Sequence, residues 1–269
     1  MNKNNLTKII LLHIILTIFI NTPTAHNHQQ LPDTTGDGTL RRIHVPILMY
    51  HYVSELPPNA DDIRTRLTVS PQRFRAHIQY LQSQGYNTIS LYEIDLALEN
   101  GTPLPSNPVV LTFDDGYIDH YATVFPILQE YGFTGTFFVV SEFADNNRPR
   151  YMSWEQITEM ANAGMSIESH TKTHADLRER NYDFLIYEIL GSAESIAYYT
   201  GVEPRILAYP IGRYDDNALN VLSTTRILRA VTTEIGAYHT TDNRLLLSRM
   251  RITNETGVSG LQYLLNYER

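Results

Sequence analysis

Val109-Val110-Leu111-Thr112-Phe113-Asp114-Asp115-Gly116-Tyr117 is the stretch on which the fold turns. A short apolar run bounded by a turn signal reads as a buried strand, and here the run ends in two adjacent carboxylates and a glycine. Successive strand side chains point to opposite faces, so Asp114 and Asp115 diverge and take different roles. Alone, Asp-Asp-Gly reads more readily as a solvated turn. The strand in front of it places the acids at a carboxyl end, where α/β folds gather their chemistry.

On either side the same alternation repeats. Apolar runs at 43–50, 86–91, 136–140, 165–168, 205–209 and 229–232 read as strands. Between them lie helical patterns. One is opened by Ser70-Pro71, carries Phe74, Ile78 and Leu81, and stops at Gly85; others cover 93–99, 118–131, 153–163 and the amphipathic run from Ile186 to Ala197. Strand-then-helix alternation means parallel strands covered by helices. About seven units favour a closed or nearly closed barrel over an open doubly wound sheet. The fold expected is α/β, a distorted, incomplete (β/α)7 barrel spanning 42–269.

Three further clusters sit at strand ends. Ser169-His170-Thr171-Lys172-Thr173-His174 follows a strand and carries two imidazoles four apart. Such a pair is often hydrogen-bonded surface, but neutral His is also a common ligand of divalent metals. Two His with one carboxylate make a three-ligand site with a position left for water. Leu207-Ala208-Tyr209-Pro210-Ile211-Gly212 ends a strand in Pro and Gly, leaving backbone N–H groups free to serve as oxyanion donors or simply to turn the chain. Met49-Tyr50-His51-Tyr52 places His51 at the end of the first barrel strand.

Together these motifs resemble the polysaccharide deacetylases of carbohydrate esterase family 4, the NodB-homology domain, over residues 43 to 255. The resemblance makes Asp114 the general base and Asp115, His170 and His174 the metal ligands. Met152-Ser153-Trp154-Glu155 also resembles that family. Tyr117, Tyr209 and Trp154 are the candidate sugar contacts, and the Ile211 N–H is the candidate oxyanion donor. Two positions depart from the pattern: Ala208 stands where the family has an Arg that orients the base, and Ile211 where it has Tyr. A late Leu-x-His motif is missing as well, and His239 is the only late His. The branch acting on poly-β-1,6-N-acetylglucosamine looks circularly permuted and carries this His in an N-terminal Tyr-His motif. Pro46-Ile47-Leu48-Met49-Tyr50-His51 is similar to that motif, which makes His51 the candidate general acid.

The implied reaction is metal-assisted hydrolysis of an acetamide on an N-acetylated polysaccharide. Zn²⁺ is the default ion, and Co²⁺, Ni²⁺ or Fe²⁺ also suit His₂Asp. Chitin or peptidoglycan N-deacetylation and xylan-type O-acetyl esterase activity use the same core. A non-catalytic sugar-binding relative would lack a ligand or the base. A glycosidase would need carboxylates flanking a glycosidic bond and leaves the His pair unexplained.

Lys3 and Lys8, then an apolar run from Ile9 to Ile20 and Ala25, form the pattern of a secretory signal peptide over 1–25. The run is shorter than the ~20 residues a membrane helix needs, although retention as an anchor is the alternative. The protein is therefore expected in the periplasm, the cell envelope or outside the cell. Residues 26–41 read as a flexible lead-in. With 269 residues, 29 acids against 21 bases and a net charge of −8, the chain is a poor partner for nucleic acid. With no Cys, it has neither disulfide scaffold nor thiolate chemistry. Oligomeric state is not legible.

Overall fold

The computed structural model describes residues 36–268. The expected signal peptide, and residues 26–35 of the expected lead-in, lie outside the described residues. Residues 36–41 run against the end of a helix: the Arg41 guanidinium donates to the Leu98 and Glu99 carbonyls at 3.1 and 2.9 Å.

Twelve strands and nine α-helices follow among the described residues. The strands are β1 (Arg42–His44), β2 (Ile47–Tyr50), β3 (Tyr52–Val53), β4 (Thr68–Val69), β5 (Asn87–Thr88), β6 (Pro108–Phe113), β7 (Thr136–Val139), β8 (Ser166–Ser169), β9 (Ile206–Ala208), β10 (Arg229–Val231), β11 (Tyr238–Thr240) and β12 (Met250–Arg251). The helices are α1 (Asp62–Leu67), α2 (Pro71–Ser83), α3 (Leu91–Asn100), α4 (Phe125–Tyr131), α5 (Ser141–Asp145), α6 (Trp154–Asn162), α7 (Tyr182–Thr200), α8 (Asp216–Ser223) and α9 (Val258–Leu265).

The main sheet is parallel throughout, in the order β10-β9-β8-β7-β6-β2-β12, with β5 added beside the start of β6. It curls until Val231 of β10 meets Leu247, on the way into β12, in a single parallel bridge. The ring is thus joined by one contact where a full barrel has a ladder: an incomplete (β/α)7 barrel.

Period-2 alternation sorts the side chains. Ile47, Val110, Phe138, Ile206, Ala208, Val231 and Leu247 pack together on the concave face, over Ile94 and Leu98 of α3. Their neighbours Leu48, Leu111 and Phe137 face outward against α2, α4, α6 and α9. Leu207 and Tyr209 face outward against α7 and α8. Carried forward two residues at a time, the inner face leads from Val110 through Thr112 to Asp114, from Ile47 through Met49 to His51, and from Leu247 to Arg249. The sequence therefore brings three chemical side chains to one end of one cavity.

Helix starts follow their signals. Ser70 caps α2 with Pro71 in its first turn, and Ser90–Glu93 and Ser153–Gln156 form capping boxes on α3 and α6. Two elements differ from the reading. The expected strand over 43–50 is two, because Pro46 has no N–H to continue a ladder; β1 instead pairs antiparallel with β11. The expected helix over 118–131 opens as a π-turn at His120–Val124. Pro126 offers no N–H to the Ala122 carbonyl, and the Phe125 N–H bonds the His120 carbonyl instead.

Candidate active site

The carboxyl ends of β6, β8, β2 and the segment entering β12 meet at one rim. Asp114 continues the inner face of β6 and is 2 % exposed. Each of its oxygens accepts a hydrogen bond from Arg249, Nη1 to Oδ1 and Nη2 to Oδ2, both at 2.7 Å. Arg249 has no exposed surface, and its Nη1 also donates to Thr112 Oγ1. Burial alone would raise the Asp114 pKa, but the Arg249 charge and its paired hydrogen bonds reverse this and hold the carboxyl below its ordinary range. This fork is what the sequence reading missed. The position expected to carry Arg is Ala208, whose carbonyl has a different task, and the guanidinium comes from the far end of the chain.

Asp115 adopts φ 78°, and Gly116 follows at φ 74°. Two left-handed residues in succession swing the Asp115 carboxylate away from Asp114 and toward the loop after β8. Its Oδ1 lies 3.2 Å from His170 Nε2 and 3.3 Å from His174 Nε2. The ligand atoms of Asp115, His170 and His174 all fall within 4.8 Å of one another.

The His170 tautomer follows from its other nitrogen. Nδ1 lies 2.8 Å from the Ala208 carbonyl, which can only accept, so Nδ1 carries the proton and Nε2 turns its lone pair on Asp115. A lone pair facing a carboxylate repels it unless a cation or a proton lies between. Burial lowers the His170 pKa, but Asp115 and Asp114 outweigh it and raise it, so the pair favours positive charge at this point. The donor set equally fits a divalent ion bound by two imidazoles and one carboxylate.

His51 sits half-buried at the end of β2, with its Nδ1 buried and unpartnered. Burial drives its pKa down to about 4, although Asp115 and Asp114 pull the other way. Its backbone carbonyl accepts from His120 Nε2 at 2.5 Å. Tyr117 lies on the wall of a cleft of about 570 Å³ with Tyr52, Tyr151, Arg64 and Arg148. The Tyr52 hydroxyl donates to the Tyr117 hydroxyl at 2.5 Å, and their rings stack 3.9 Å apart.

Two expected sugar contacts hold structural posts instead. Tyr209 is fully buried and donates its hydroxyl to the Leu245 carbonyl at 3.1 Å, because period 2 turns it outward with Leu207 while Ala208 faces in. Trp154 is only 6 % exposed, donates to Asp145 and stacks on Tyr199 at 4.4 Å. Ile211 lies in a one-turn helix (Pro210–Gly212) at φ 58°. A β-branched residue there is strained, and Gly212 N–H to the Tyr209 carbonyl (2.9 Å) with Arg213 N–H to the Pro210 carbonyl (3.0 Å) hold the turn. His239 is buried on β11, remote in sequence from these motifs, with Nε2 donating to the Val45 carbonyl.

Comparison with known proteins agrees with this architecture. A family model for polysaccharide deacetylases matches residues 101–228. Bacillus subtilis YxkH, which carries the name of a polysaccharide deacetylase, is 32% identical over 216 residues, 80% of this chain and 73% of that protein. The poly-β-1,6-N-acetyl-D-glucosamine N-deacetylase of Staphylococcus epidermidis is 24% identical over 266 residues, 90% of each. The solved structure of the Streptococcus pyogenes deacetylase PplD in complex with acetate matches with a TM-score of 0.78 at 30% identity, covering 84% of this chain and 100% of that one. The chain belongs to the polysaccharide deacetylase family, carbohydrate esterase family 4.

Proposed function

We propose that the protein is a metal-dependent N-deacetylase acting on N-acetylglucosamine units of an extracellular or cell-envelope polysaccharide, with poly-β-1,6-N-acetylglucosamine the favoured polymer. The observation that carries this is one arrangement: Asp115, His170 and His174 converge on a point beside a separate carboxylate, Asp114, that is held ionised by Arg249. This separation supports giving nucleophile activation and metal binding to different carboxylates. The Staphylococcus epidermidis relative, named for its action on poly-β-1,6-N-acetyl-D-glucosamine and matched over 90% of each chain, supports the choice of polymer.

Asp115, His170 and His174 would hold the ion, with Zn²⁺ the first choice and Co²⁺, Ni²⁺ or Fe²⁺ also suited to these ligands. When bound, such an ion supplies Lewis-acid polarisation of a carbonyl and a more acidic water. The protein's own residues do the rest. Asp114 takes the proton of the attacking water as general base. The Ile211 N–H would donate to the oxygen of the tetrahedral adduct. His51, neutral at rest, takes up a proton from the solvent at the rim as negative charge builds beside it and hands it to the departing nitrogen as the C–N bond breaks, while Asp114 returns the water's proton to solvent. Tyr117 and the cleft beside it receive the sugar chain.

The test is acetate and free-amine release from β-1,6- and β-1,4-linked N-acetylglucosamine oligomers, with acetylated xylan alongside, before and after prolonged chelation. Acetate from intact oligomers is expected, fastest from the β-1,6 series, lost on chelation and restored by Zn²⁺ or Co²⁺. Chain cleavage without acetate, or full activity in metal-free protein, would overturn the reading.

A further inference from the structure

The loop that carries His170 and His174 is strained, and one face of α7 holds it. Thr171 and His174 stand at φ 65° and 64°, a left-handed conformation that is unfavourable for a residue with a side chain. Something must pin such a loop if its two imidazoles are to stay aimed at Asp115.

The pins come from Glu188, Ser192 and Ser195, spaced i, i+4 and i+7 and so aligned on a single stripe of α7. Each bonds a different residue at the end of β8 or in the loop that follows it. Ser192 Oγ accepts from Ser169 Oγ at 2.9 Å, and Ser195 Oγ accepts from Lys172 Nζ at 2.8 Å. Glu188 makes two bonds to Thr173: Oε2 accepts the backbone N–H at 2.9 Å and Oε1 accepts Oγ1–H at 2.6 Å. The Glu188 backbone carbonyl also accepts the Lys172 N–H at 2.9 Å. Glu188 and Ser192 have no exposed surface.

A carboxyl group buried in a helix is costly unless its oxygens are bonded. Both oxygens of Glu188 are spent on the one residue directly before His174. Packing alone would be served better by Leu at this position of an otherwise apolar helix face, beside Leu185 and Ile189. We infer that Glu188 is a positioning residue for the metal centre: it fixes Thr173, and through it the aim of His174, and the polar stripe of α7 is the platform for the whole ligand loop. This rests on Asp115, His170 and His174 being a metal site. It explains why Glu188 and Ser192 interrupt the buried face of α7, with Ser195 at its edge, which the proposed reaction does not otherwise use.

Zinc affinity, measured by competition with a chromogenic chelator on folded protein, separates positioning from mere stability. Glu188→Leu is expected to weaken zinc 10–100-fold, the usual effect of losing an outer partner of a ligand. Glu188→Gln keeps both bonds, its amide oxygen accepting the Thr173 N–H and its NH₂ donating to Oγ1, and should restore affinity to within about threefold. The visible spectrum of the Co²⁺ form should be altered in Glu188→Leu and normal in Glu188→Gln. If Glu188→Leu does not fold, Thr173→Val, which loses only the hydroxyl bond, should still weaken zinc on the order of tenfold. Unchanged zinc affinity in Glu188→Leu, or in Thr173→Val where that variant stands in for it, overturns the inference alone. Wild-type protein that takes up no zinc overturns the metal reading beneath it.

Discussion

At the residue scale, the four motif side chains Asp114, Asp115, His170 and His174 were legible because each lies in a contiguous run at the end of a strand. Tyr209 and Trp154 were not, since an aromatic at a strand end reads the same whether it faces the rim or the core. Only the register decides, and β9 puts Ala208 inward and Tyr209 outward. His51 was legible as a position and not as a state. Its burial, which drives the pKa to about 4, makes it neutral at pH 7 and makes its conjugate acid a ready proton donor. The amine of an amide must be protonated to leave, whereas an activated phenol needs little help. His51→Ala is therefore expected to depress hydrolysis of N-acetylglucosamine oligomers strongly, by roughly 10²-fold or more, while sparing an aryl acetate and leaving zinc content unchanged. Equal losses on the two substrates would reduce His51 to a packing role.

At the element scale, the long helices and the β6, β7 and β8 strands were visible in hydrophobic period, and their ends in caps. The short pieces were not. β12 has two residues, and its role depends on partners about two hundred positions away. One signal was nevertheless present: in Leu247-Ser248-Arg249-Met250-Arg251-Ile252 arginine alternates with apolar residues, and a guanidinium in an apolar strand calls for a buried carboxylate. Arg249→Met would strip Asp114 of its counter-charge. Breaking a buried pair from one side costs about 3–5 kcal/mol. The Asp114 pKa, now held low, would rise under burial alone, so the acid limb of the pH–rate profile should move to higher pH while zinc still binds. Arg249→Lys restores charge but not the two-pronged fit and should fall between. An acid limb that stays in place in Arg249→Met would remove Arg249 from the chemistry.

At the scale of the molecule, stability should be sensitive to mild acid. His77 is fully buried; its Nε2–H donates to the Thr256 carbonyl at 2.9 Å, and its Nδ1 accepts from the Tyr50 hydroxyl at 3.1 Å. Burial holds His77 and His239 at about 4. Between pH 6.5 and 4 the unfolded chain takes up protons that the native protein refuses, so the stability these groups allow is complete above about 6.5 and is lost as pH falls toward 4. Glu168, raised to about 7 by burial, acts in the opposite sense over the same window, so the contribution of one histidine is best read by difference. Wild type should lose about 2–3 kcal/mol more than His77→Gln between pH 7 and pH 4 in urea titrations; parallel losses would exclude the mechanism. The near-closure of the ring also has a consequence in time. Asp114 is made 135 residues before the guanidinium that lets it be buried. While the chain is still being synthesised, a dry rim around that lone carboxylate is too costly to form, so the end of the sheet stays open and wet. The last strand to arrive both shuts the ring and brings the guanidinium that holds Asp114 ionised, so the finished rim depends on the final segment of the fold.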